Sequence, residues 1–160
     1  MNANAIAQLD WLRESPDPKH PYEFAQMQWQ RFHNINEQVT AKLYSNSFLC
    51  AVIVKGLVGI NEGYRYDGLT GWFDKPKLMR KAGFHDLGCQ FQCNKTFREM
   101  IATRAMVDKW FLETDAEIKP IESRACYLAV RAYGAIMPPV EHTGLSVTLS
   151  LPSNQPHCTL

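Results

Sequence analysis

Residues 75–112 read KPKLMRKAGFHDLGCQFQCNKTFREMIATRAMVDKWFL, and the way this stretch folds back on itself decides the architecture. A helix is predicted from Lys75 to Cys93, opening at Pro76, a residue suited to the first helical turn. Thr96-Phe97-Arg98-Glu99 has the spacing of a capping box, in which hydroxyl and carboxylate satisfy each other's orphan backbone N–H groups. A second helix is therefore predicted from Phe97 to about Glu117, with Met100, Ile101, Ala105, Phe111 and Leu112 on its apolar stripe. If the turn between the two is centred on Lys95 and Thr96, residues equidistant from it face one another. The midpoint of 85 and 108 is 96.5, so His85 and Asp108 are expected to meet.

Asp108 lies within the apolar stripe, where an unpaired carboxylate is costly to bury. An imidazole N–H is a suitable partner, because the carboxylate then fixes the histidine tautomer and stabilises the imidazolium formed when the other nitrogen takes a proton. This makes His85 a candidate general base. Asp86 follows about 100° further round the helix and must point elsewhere. Upstream, Gly63-Tyr64-Arg65-Tyr66-Asp67-Gly68-Leu69-Thr70-Gly71 is punctuated by glycine and can turn carbonyl oxygens inward. One carboxylate with several carbonyls is a hard-oxygen set suited to calcium, of modest affinity with a single carboxylate. Trp72 and Phe73 beside this loop are candidates for an apolar lip.

Three segments in this order, GYRYDGLT (63–70), KAGFHDLGCQF (81–91) and TRAMVDKWFLE (103–113), resemble a family of small, mostly phage-encoded proteins of unknown function that read approximately GFxTDGxSxP, AxxHDxLY and xADxxF. The likeness runs over residues 52–134, about half the chain. That pattern is in turn similar to the catalytic core of secreted and bacterial phospholipase A-two enzymes. The resemblance implies His85 as base, Asp108 as the acid that orients it, Asp86 as calcium ligand, and Tyr66, Gly68 and Thr70 as loop contributors to the metal. Four residues past the histidine, where both families commonly carry tyrosine, this chain has Cys89.

Outward from this core, Phe48–Val54 is an apolar, β-branched run that predicts a strand, with a second short one at Leu57–Ile60. Leu145–Leu151 alternates strictly and predicts another, paired either with the 48–54 strand or with a neighbouring chain. Tyr22–Tyr44 holds no Gly or Pro, and Phe24, Met27, Phe32, Ile35, Val39 and Leu43 recur at spacings of three to five, which predicts a helix. A third core helix is expected at Ile121–Tyr133, ending near Gly134. Three prolines in residues 15–21 predict a linker. The resulting division is an N-terminal segment and linker (1–21), a helical core (22–137) and a C-terminal arm (138–160). The fold class is α+β, an antiparallel helix pair plus a third helix with a small sheet.

With 46% hydrophobic and 21% charged residues in 160, the chain has the composition of one folded domain. A net charge of +1 predicts no nucleic-acid footprint. The first residues lack the basic and apolar regions of a signal peptide, and the longest apolar window, 13 residues interrupted by Lys55, is short of the roughly 20 needed to span a bilayer. Five cysteines without a CxxC pair suggest no zinc ribbon or disulfide framework. A two-metal phosphohydrolase pattern through His33, His85-Asp86 and Asp108 is disfavoured by the predicted strands. Two functions follow. One is a calcium-dependent, phospholipase-like ester hydrolase acting on lipid or envelope components; the other is a non-enzymatic phage structural or accessory protein that binds phage proteins or itself through the C-terminal arm. Host cytoplasm or virion is the expected location.

Overall fold

The structure is a computed structural model that describes residues 9–68, 76–113, 119–137 and 140–150. Strands β1 (Leu12–Glu14), β2 (Tyr22–Phe24) and β7 (Arg65–Tyr66) form a three-stranded antiparallel sheet in the order β1-β2-β7. Strands β3 (Gln28–Arg31), β4 (Thr40–Ser45), β5 (Phe48–Val54), β6 (Leu57–Ile60) and β8 (Leu145–Ser150) form a five-stranded antiparallel sheet ordered β3-β6-β5-β4-β8. The helices are α1 (Pro76–Gln90), α2 (Lys95–Met100), α3 (Arg104–Asp108) and α4 (Pro120–Ile136), with 3-10 turns at Phe91–Cys93 and Lys109–Leu112. The α+β class and the strands at 48–54 and 57–60 are as expected. The β5–β6 turn is set locally, with Lys55 and Gly56 both at positive φ, 49° and 76°, the backbone of a two-residue hairpin that follows the strand twist. None of the described helices is long and apolar enough to cross a membrane.

Tyr22–Tyr44 is not helical. It supplies β2, β3 and most of β4, because an alternation of period two lies beneath the looser stripe: Thr40, Ala41, Lys42 and Leu43 run exposed, buried, exposed, buried. The break between strands is made by asparagine rather than Gly or Pro; the Asn36 side chain accepts from the Gln38 N–H at 2.9 Å, a local turn bond that competes with helix. The predicted linker at 15–21 is a hairpin connection, closed by Ser15 N–H donating to the Pro21 carbonyl at 2.8 Å, so the boundary drawn at residue 21 carries a paired sheet. At the other end β8 pairs with β4, Ser45 opposite Leu145 and Thr40 opposite Ser150, rather than with β5. Leu151 lies outside the described residues.

The second long helix is interrupted. Asn94, not Thr96, caps α2, its side chain accepting from Phe97 N–H at 3.0 Å. Ile101 and Ala102 N–H both close on the Phe97 carbonyl, ending the helix, and Thr103 starts α3 by accepting from Met106 N–H at 3.3 Å. Residues 114–118, where the single helix was expected to end, lie outside the described residues. The third helix is present and longer than expected, from Pro120 to Ile136, but it buries only Ser123 and Cys126 and leaves Leu128 exposed, so it covers the surface rather than forming part of the core.

Helix α1 is the hub. Phe84 packs edge-on to Phe24 and Phe32, Phe24 stacks on Tyr66 at 5.2 Å, and Phe32 stacks on Trp110 at 4.3 Å, so one aromatic core joins both sheets to α1 and to the turn after α3. Two glycines allow this approach. A Cβ on Gly83 would lie 2.5 Å from the Phe24 ring, and one on Gly88 would lie 2.6 Å from Val107 Cγ1 and 2.8 Å from Trp110. Gly88→Ala is expected to lower stability by about 1–3 kcal/mol through overpacking, despite the better helix propensity of alanine. Urea denaturation checks this; a more stable variant would show that α3 yields.

Candidate functional site

The Gly88 contact sets α3 against the face of α1 that carries His85. His85 Nε2 lies 2.8 Å from Asp108 Oδ1, with both residues buried. The pairing expected from the sequence is therefore realised, although α2 and α3 replace the continuous helix. The Phe111 ring packs on the imidazole at 4.8 Å between centroids. Lys81, one turn earlier on α1, donates to the Phe111 and Glu113 carbonyls and so fastens the segment that holds this ring.

Asp108 has two further partners that sequence reasoning missed. Arg104 Nε donates to Oδ1 at 2.9 Å and Arg131 Nη1, from α4, donates to Oδ2 at 3.0 Å. Burial alone would raise the Asp108 carboxyl, but the bonds from His85, Arg104 and Arg131 hold it down to about 2. Burial pushes the His85 imidazolium down, with the Asp108 bond opposing. The resting pair is a neutral imidazole against an ionised carboxylate. With Nε2–H donated to Asp108, Nδ1 carries a lone pair and can accept a proton.

Cys89 Sγ stands 3.6 Å from both ring nitrogens of His85. Because Nε2–H is donated to Asp108, the Cys89 S–H is the hydrogen-bond donor beside the Nδ1 lone pair. Burial pushes the Cys89 thiol up to about 12, against Arg104, so it is a thiol rather than a thiolate at neutral pH. One ligand atom from each of His85, Cys89 and Asp108 fits within 4.8 Å, a set that could hold a metal ion. Two guanidiniums bonded to the same carboxylate and a protonated thiol oppose a dication there. His33 is not among these residues; it pairs with Glu113 Oε2 at 2.9 Å, and the two-metal arrangement does not form among the described residues.

Asp86 points away from the pair, as its helical position requires, to the end of the glycine loop. Its Oδ2 accepts from Gly68 N–H at 3.3 Å, and its carboxyl is hydrogen-bonded to that of Asp67. Burial first, and then the bond and charge of Asp67, raise the Asp86 carboxyl well above the usual range. Two adjoining carboxyl groups must share a proton or a cation, and this acidic oxygen pair is the better fit to a hard cation. Gly68 needs its positive φ of 80° here. Tyr66 sends its hydroxyl to the Met79 carbonyl at 2.9 Å, so its side chain ties the loop to α1. Thr70, Trp72 and Phe73 lie outside the described residues. Asp67 was legible as part of an Asp-Gly turn, but its aim at Asp86 depends on the path of the loop.

No protein-family model, no curated protein and no solved structure matches this chain.

Proposed function

We propose that the protein is a calcium-assisted hydrolase of carboxylic esters, with lipid or envelope components as substrates. The observation that supports this most is the neutral His85, tied through Nε2 to an ionised, buried Asp108 and left with a lone pair on Nδ1, where the Cys89 thiol is its neighbour. In this reading His85 Nδ1 takes a proton from attacking water, Asp108 stabilises the imidazolium, and the same proton passes to the leaving alcohol. Arg104 and Arg131 keep Asp108 ionised and aimed. Asp86 and Asp67 would hold calcium, whose contribution when bound is to polarise the ester carbonyl.

Fatty-acid release from mixed phospholipid micelles tests this reading. Release that stops on chelation of calcium is expected; a folded protein that releases nothing from several lipid classes contradicts it.

One feature favours a second reading, a phage structural or accessory protein that binds neighbouring subunits. Strand β8 is at the edge of its sheet, and an edge strand is a template for another chain. The C-terminal strand is nevertheless paired within its own chain. The sedimentation mass of the intact protein separates the two: an oligomer without esterase activity supports assembly, and a monomer with calcium-dependent hydrolysis removes it.

A further inference from the structure

One arginine would neutralise Asp108; two are bonded to it. Arg104 and Arg131 each spend one N–H on the carboxylate, and a guanidinium has five. Among the described residues neither makes another hydrogen bond, and their side chains are 37% and 46% exposed. Their unused donors thus lie on the solvent side of a carboxylate whose other neighbour is an uncharged imidazole, which leaves positive charge in excess. The placement is built rather than incidental. Arg104 lies against Gly134 of α4, where an added Cβ would come within 3.1 Å of Nη2, so the glycine gives the guanidinium room beside Arg131. Arg104 Nε and His85 Nε2 meet on the same oxygen, Asp108 Oδ1, which puts the Arg104 charge alongside the candidate base.

We propose that Arg104 and Arg131 form an anion subsite next to His85 that takes a phosphate group, so that the preferred ester carries a phosphate near the bond to be cut. Paired guanidiniums match the oxygens of phosphate in geometry and charge. The binding claim stands on these residues alone; its catalytic consequence rests on the hydrolase reading above. The phosphate has two sources, the headgroup of a lipid in a membrane or a soluble phosphate ester.

The test begins with inorganic phosphate titrated into the intact protein and followed by thermal stabilisation. Saturable stabilisation is expected, weakened about tenfold or more in Arg131→Gln, as loss of a charged hydrogen bond implies, and partly restored in Arg131→Lys. A second measurement compares hydrolysis of a short-chain glycerophospholipid with that of an uncharged glyceride bearing the same acyl chains. Arg131→Gln is expected to cut the preference for the phospholipid about tenfold, whereas a purely structural arginine would lower both rates alike. Phosphate that fails to stabilise the wild type, or equal losses on both esters, overturns the subsite. If neither ester is cleaved, saturable phosphate binding lost in Arg131→Gln still upholds the subsite while the hydrolase reading falls. Co-sedimentation with phosphatidylglycerol vesicles, competed by inorganic phosphate, identifies the headgroup as source; phosphate binding without vesicle binding identifies a soluble ester.

Discussion

Asp108→Asn is expected to reduce ester hydrolysis by about 10²–10⁴-fold, the range of a lost general base, while the protein still folds. The amide has the shape of the carboxylate but can present an N–H to His85 Nε2. The imidazole then places its own proton on Nδ1, the nitrogen that must accept one. The substitution also removes the charge that Arg104 and Arg131 share. Leaving a buried ion cluster without one partner costs about 3–5 kcal/mol, and the partial exposure of both arginines puts this case near the lower end. The pH dependence has a definite sign. The Asp108 carboxyl is held down to about 2, against about 3.9 in an unfolded chain, so its contribution is complete above the unfolded value and is lost as pH falls through the folded one. The stability gap between wild type and Asp108→Asn should be widest above about pH 4 and close near pH 2. Urea denaturation at a series of pH values checks this, and a gap that does not narrow in acid would show that Asp108 is not the ionised partner.

Asp86→Asn is expected to bring the rate in calcium down to the rate in chelator, a fall of about 10²–10³-fold if the ion supports the developing oxyanion. It should do so without loss of stability in the absence of metal. The Asp86 carboxyl is raised well above its ordinary value by burial and by Asp67, so the folded state holds a proton there that the unfolded chain releases. Stability of the metal-free wild type should therefore fall as pH rises from the ordinary carboxylate range through the raised one. Calcium offsets this loss by replacing the proton, so its stabilising effect should grow with pH. The amide abolishes both trends. Thermal melts with and without calcium read them directly, and a metal-free Asp86→Asn protein that collapses would mark Asp86 as structural.

Much of the site was legible because it rests on local signals. Helix α1 is announced by Pro76, and the placement of His85 opposite Asp108 follows from counting outward from the turn near residue 95. That count survives the break between α2 and α3 because Gly88 still lets Val107 and Trp110 seat against α1. Arg104 lies four residues before Asp108 on one short helix, a spacing at which side chains meet, and was open to the same argument. Arg131 was not, since nothing local brings α4 to that carboxylate. The sheets were read least well: the turn at Asn36–Gln38 uses a side-chain bond instead of Gly or Pro, and the spacing of Phe32, Ile35 and Val39 imitates a helical stripe while its residues enter the core from strand ends and loops. The partner of β8 is set by a non-local choice that its alternation cannot encode.

In the proposed mechanism His85 Nδ1 removes a proton from water beside a bound cation. This step is tested most directly by initial rates of fatty-acid release from mixed phospholipid micelles, with wild type and His85→Gln measured side by side in calcium and in chelator. Rapid release by wild type in calcium is expected, with rates lower by about 10² or more for the variant and for both proteins in chelator, and with unchanged circular dichroism. A folded His85→Gln protein that releases fatty acid at the wild-type rate would contradict this mechanism.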